Sequence, residues 1–105
     1  MKHAWCILLA LLLACEKTPE QPGSCQRPQE NVCIEYDSTH AAAGKRLCAG
    51  LVWTAGASSC PTADLLGLCS KKDVEERMYS GAPNNYSAAS ARTACEHGSG
   101  TFRLP

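Results

Sequence analysis

A small, disulfide-rich α+β domain, with two short helices and short antiparallel strands, is the fold class the sequence predicts. Three observations predict it. Eight cysteines fall within 105 residues, a density typical of an oxidising compartment and a disulfide framework. Short alternating apolar segments are separated by Ala-rich stretches of helical length. The length suits one domain, since domains commonly run to about 100–150 residues. Ten basic and ten acidic side chains cancel to a formal charge of zero. That balance removes the basic stripe that nucleic-acid binding needs, so no nucleic-acid partner is expected. It equally removes any polybasic case for attraction to a membrane surface.

The N-terminus reads as a targeting segment. Met1-Lys2-His3 is short and basic, and an apolar run of 11 residues, Ala4 to Ala14, follows it. A signal-peptide core takes roughly 7–15 residues and a spanning helix about 20. A buried core helix would show a polar face at helical spacing, and this run has none. Residues 1–14 are therefore expected to be a signal peptide. Residues 16–24 carry no large apolar side chain and contain Pro19 and Pro22, so they read as a flexible tether.

Leu12-Leu13-Ala14-Cys15 resembles the lipobox of bacterial lipoproteins. The resemblance implies a diacylglyceryl thioether on Cys15, cleavage after Ala14 and acylation of the new amino group. Two or three acyl chains on one cysteine give stable attachment where one is marginal. The resemblance implies a covalent lipid on Cys15, a bilayer as partner, and a place on the periplasmic or cell-surface face of an envelope, membrane-anchored by lipid. Ordinary secretory cleavage after Ala14 is the competing reading, although Leu12 fits its small-residue pattern poorly.

With Cys6 in the signal peptide and Cys15 given to lipid, six cysteines remain: Cys25, Cys33, Cys48, Cys60, Cys69 and Cys95. The domain is expected over residues 25–105. It reads as two pseudo-repeats of about 25–57 and 58–105, an internal duplication. The first contains Cys25, Cys33, Tyr36, an Ala-rich run into Cys48, Gly50 and Trp53. The second contains Cys60, Cys69, Tyr79, an Ala-rich run into Cys95, Gly98, Gly100 and Phe102.

Val32 to Tyr36 alternates as a strand does. Asp37 or Ser38 can cap a helix through His40–Cys48. Ser87 can cap a second helix over Ala88–His97, and Gly98 occupies the place of a left-handed terminating residue. Leu51–Thr54 and Thr101–Arg103 read as short strands. Lys71–Tyr79 has helical charge spacing, but the repeat makes its end a strand.

With three cysteines per repeat, one or three bridges must cross between repeats. Of 15 pairings, the expected one is Cys33–Cys48, Cys69–Cys95 and Cys25–Cys60, because a strand's start lies near the end of a helix folded back on it. Cys60–Cys69 is the rival. Such bridges are needed, because a domain this small buries only about 60% of its unfolded surface.

Chemistry finds little support. Zinc sites and thiol redox centres favour C-x-x-C spacing, whereas the closest mature cysteines, Cys25 and Cys33, have seven residues between them. His40 and His97 are the mature histidines, each on an Ala-rich helix. Neither belongs to a recognisable nucleophile–base–acid set. Adjacent Glu75 and Glu76 diverge on a helix or a strand and read as a solvated face. Gly98-Ser99-Gly100 is too short for a phosphate loop. Asn85-Tyr86-Ser87 is a glycosylation triplet, silent in a bacterial lipoprotein.

The mature pattern over roughly residues 48–102 resembles small cysteine-rich bacterial lipoproteins, which implies no catalytic residues. No catalytic residue, metal or further cofactor is expected. A small binding or structural module with an envelope protein as a possible partner is. A freely secreted cysteine-rich ligand or inhibitor is the alternative.

Overall fold

The computed structural model describes residues 20–105. Six strands form one antiparallel sheet and two helices lie on one of its faces, the α+β class the sequence predicts. In chain order the elements are β1 (Gly23–Arg27), a 3-10 turn (Pro28–Glu30), β2 (Val32–Tyr36), α1 (Ala41–Leu47) and β3 (Val52–Ala55). There follow β4 (Leu65–Ser70), β5 (Glu75–Tyr79), α2 (Ala88–His97) and β6 (Thr101–Arg103).

The spatial order is β3-β1-β2-β5-β4-β6, so each half has the chain order β-β-α-β. In the first half β1 is flanked by β2 and β3; in the second, β4 is flanked by β5 and β6. Cys25 sits opposite Ile34 and Trp53, while Cys69 sits opposite Glu76 and Phe102. The halves meet where Ile34 faces Glu76 across β2 and β5.

Two strands were not foreseen. β1 begins at Gly23, so Gly23 and Ser24 belong to the sheet and not to the tether, and Ser24 is fully buried. β4 runs through Gly67, in a stretch where the sequence offered no element. The ambiguous segment ends as β5, a strand.

Side chains alternate across a sheet, and that parity organises the core. Val32, Ile34 and Tyr36 of β2 face the helices. One cluster gathers Val32, Cys69, Met78, Ala91, Cys95 and Phe102, and another gathers Cys25, Tyr36, Ala41 and Cys48; Ile34 packs against both. The half-cystines are among the most completely buried side chains, so the bridges stand where larger apolar residues would fill a larger domain.

The bridges are Cys25–Cys48, Cys33–Cys60 and Cys69–Cys95. The last is the one expected. The expected Cys33–Cys48 and Cys25–Cys60 are incorrect, and the rival Cys60–Cys69 does not occur. The cause is parity. With Val32 and Ile34 turned toward the helices, Cys33 points through the other face. The strand beneath the end of α1 is the unforeseen β1, which presents Cys25.

Residues 56–64 form a strap over that other face. Cys33–Cys60 fastens it, the Ser24 and Ser59 hydroxyls lie 2.7 Å apart, and the Cys60 N–H donates to Glu35 Oε2 at 2.8 Å. Cys60 thus belongs to the connector between the halves, and no bridge ties β4, β5, α2 or β6 to the first half.

The helix ends follow capping chemistry. Ser87 Oγ accepts from the Ser90 N–H at 3.1 Å, and Ser90 Oγ accepts from the Ser87 N–H at 2.9 Å, closing a capping box. Asp37 Oδ1 accepts from the His40 N–H at 2.9 Å, one step before α1 begins; Ser38 caps nothing. At the end of α2 the left-handed residue is Ser99 (φ 65°), while Gly98 has φ −93°. The Ser99 N–H donates to Glu96 O and the Gly100 N–H to Cys95 O, the Schellman pairing with Ser99 in the place expected for Gly98.

Candidate functional site

The strap and the β4–β5 turn leave a cleft of about 420 Å³ on the face opposite the helices. Glu35 of β2 and Glu75 and Arg77 of β5 form its floor; Asp37, Lys72 and Asp73 stand at its side. These strands supply charge because their alternate residues leave the core, which places Glu35, Glu75 and Arg77 on one surface.

The floor is an ion network. Arg77 Nη2 lies 3.2 Å from Glu75 Oε1, and Arg103 Nη2 lies 2.7 Å from Glu75 Oε2. Arg77 Nε stands 3.9 Å from Glu35 Oε2, the oxygen that accepts from Cys60 N–H. Each carboxylate has a cationic or N–H partner. That arrangement suits holding strands and strap in register, and it leaves no carboxyl placed as a free acid or base.

At the rim, His40 Nδ1 lies 2.9 Å from Asp37 Oδ1, and His40 Nε2 lies 3.5 Å from Asp73 Oδ1. The His40 backbone N–H, and secondly its ring, hold the Asp37 carboxyl below the usual range. Both ring nitrogens face carboxylates, so His40 spans from the start of α1 to the β4–β5 turn. It makes no hydrogen bond to a serine hydroxyl among the described residues. Acting as base to a nucleophile would require one.

A second cleft, of about 280 Å³, lies between the strap and the β2 start, lined by Asn31, Val32, Pro61, Asp64 and Tyr79 among others. Asn31 Nδ2 donates to the carbonyls of Tyr79, Ser80 and Gly81, the shortest at 2.6 Å. The Tyr79 hydroxyl donates to Pro61 O at 2.7 Å, and burial pushes its pKa up to about 12. These groups secure the turn after β5 and the strap.

Of the residues singled out in the sequence, the lipidation residue Cys15 and the signal peptide lie outside the described residues. The six others, Cys25, Cys33, Cys48, Cys60, Cys69 and Cys95, are all disulfide-bonded. Glu75 enters the charged cleft, whereas Glu76 turns toward the helices and meets Lys71 Nζ at 3.3 Å. Glu96 pairs with Arg92 along α2 at 3.9 Å. His97 ends that helix, away from the charged cleft that holds Glu75. Among the described residues no group of three or more His, Cys, Asp or Glu is placed to hold a metal ion. Sequence reasoning missed Glu35, Arg77 and the Asp37–His40–Asp73 bridge. The alternation within β2 and β5 carried the first two; the third joins residues far apart in sequence and left no local signal.

The chain matches no protein-family model, no curated protein and no solved structure.

Proposed function

We propose that the chain is a lipid-anchored protein of a bacterial envelope, held through acylated Cys15, whose folded part is a non-catalytic binding or structural module. The observation that carries the reading is the lipobox-like Leu12-Leu13-Ala14-Cys15, placed seven residues before the domain's first strand. The completed pairing of the other six mature cysteines supports it, because none of them is left to bond Cys15. The ion-paired cleft, where carboxylates and His40 hold elements together, favours a module over an enzyme.

The same reading takes the halves as copies of one β-β-α-β unit. Its support is the matching position of Cys25–Cys48 and Cys69–Cys95 and a sheet order that reads alike from either edge.

Metabolic labelling with palmitate tests the anchor. Wild type should take up label and Cys15→Ser should not. Unlabelled wild-type protein, released into the medium and cut after Ala14, would overturn the anchor in favour of a freely secreted ligand or inhibitor.

A further inference from the structure

The corner where α1 ends and β3 begins is apolar, cationic and, among the described residues, unpartnered. Leu47 is 67% exposed, Leu51 40% and Val52 56%. Lys45 and Arg46, one turn back, are exposed and form no ion pair among the described residues. The sequence reinforces this: no acidic residue occurs between Asp37 and Asp64. An otherwise neutral chain therefore gathers two cations beside three exposed aliphatic side chains, from the end of α1 to the first residue of the outermost strand.

From this corner we infer that Lys45, Arg46, Leu47, Leu51 and Val52 form a contact surface for an anionic lipid bilayer. Cations attract acidic headgroups while neighbouring aliphatic side chains enter the interface, the combination by which peripheral elements lie on membranes. The shape favours lipid over a peptide or a folded partner. None of the five residues lines either cleft, the places where a partner's anchoring side chain would seat.

The tether also permits it. Val52 pairs with Gln26, and Ala55 pairs with Gly23, where the chain enters the sheet. Three strand residues, about 10 Å, separate the corner from that entry. Residues 16–22 can span at most about 25 Å. The inference rests on the lipid anchor only for delivering the domain to the bilayer.

The test uses the full-length mature protein in vesicles. A membrane-impermeant amine-acylating reagent is applied, and modification at Lys45 is compared with exposed Lys72 by peptide mass spectrometry. In vesicles rich in phosphatidylglycerol, the Lys45 to Lys72 ratio should fall roughly tenfold or more relative to detergent, and in phosphatidylcholine by less than about twofold. Leu47→Asp with Val52→Asp should restore Lys45 labelling while the three disulfides map unchanged.

Equal labelling in both vesicle types overturns the inference. So does Lys45 protection that rises with protein concentration in detergent, since a second copy would then be the cover. The acyl mass on Cys15, read from the same digest, judges the anchor separately. Acylated Cys15 with unprotected Lys45 rejects the surface and keeps the anchor. Protection without acylation does the reverse.

Discussion

Removing the Cys33–Cys60 bridge tests whether the strap is held mainly by its covalent link. The bridge closes a separation of 27 residues, for which loop entropy gives about 3.5 kcal/mol at 25 °C. Because Cys33 lies between Cys25 and Cys48, a shorter path of about 20 residues also connects the two sulfurs through that neighbouring bridge. The dependence on length is logarithmic, so the value falls by only about 0.3 kcal/mol. The other separations, 23 and 26 residues, give nearly the same figure. Loop entropy alone thus predicts three almost equal losses.

The structure distinguishes this bridge by its position, since of the three it is the one that fastens residues 56–64, beside the Ser24–Ser59, Glu35–Cys60 and Tyr79–Pro61 hydrogen bonds. Cys33→Ala with Cys60→Ala should lower the urea midpoint by about 3 M, taking a slope near 1 kcal/mol/M for a domain of this size. Amide exchange should rise first at Cys60. A total loss below about 1 kcal/mol, or a Cys60 amide as protected as before, would refute the reasoning.

Three further outcomes are expected. A Cβ on Gly67 would come 2.2 Å from Phe102 Cζ and 2.9 Å from Arg103 O, and one on Gly23 would come 2.3 Å from Trp53 Cζ2. Gly67→Ala and Gly23→Ala should each cost about 1–3 kcal/mol in urea unfolding, and a neutral result at both would show that the aromatic rings have room to move. The tyrosine titration followed at 295 nm should contain a step near pH 12 that Tyr79→Phe removes. Because burial raises this pKa above the ordinary 10, the contribution is complete below pH 10 and is lost as pH rises toward 12; a midpoint near 10 would contradict it. Asp37 is shifted the other way, so its contribution holds above its ordinary range near 4 and is lost as pH falls through its lower folded value. His40→Ala keeps the backbone N–H but removes the ring, so it should move the Asp37 midpoint in a carboxyl NMR titration partly upward, and an unchanged midpoint would remove the ring as a cause.

Local signals in the sequence were enough for the elements with strong chemistry. Val32–Tyr36 alternates, Ser87 caps and Thr101–Arg103 follows a helix end, and each forms the element expected. β1 and β4 escaped notice because Gly-Ser-Cys-Gln-Arg and Leu-Leu-Gly-Leu-Cys-Ser hide their strand character behind a glycine. In both, the glycine clears an aromatic ring on the neighbouring strand, a tertiary demand invisible along the chain. Missing β1 then misassigned two bridges, although the parity of Val32 and Ile34 already turned Cys33 away from the helices. Gly100 had a similar hidden reason. A Cβ there would come 2.3 Å from Cys69 Sγ, so the glycine clears the bridge while Ser99 takes the left-handed turn. The charged cleft was half legible, in the outward residues of β2 and β5. The His40 bridge to Asp73 depends on where the β4–β5 turn falls in space.

The placement of Cys60 in the strap has a consequence for how the molecule can be divided. Two bridges close within residues 25–60 and one within residues 69–95, so the only backbone joining the two groups is the short run from Pro61 to the start of β4. One proteolytic nick there would yield two polypeptides, each keeping its own cross-links, associated noncovalently through the β2–β5 ladder, the packing around Ile34 and side-chain links such as Arg77–Glu35 and Asn31 to the turn after β5. A domain with three staples is in this sense a noncovalent heterodimer closed by a single peptide segment, and its halves are natural fragments for split-protein reassembly.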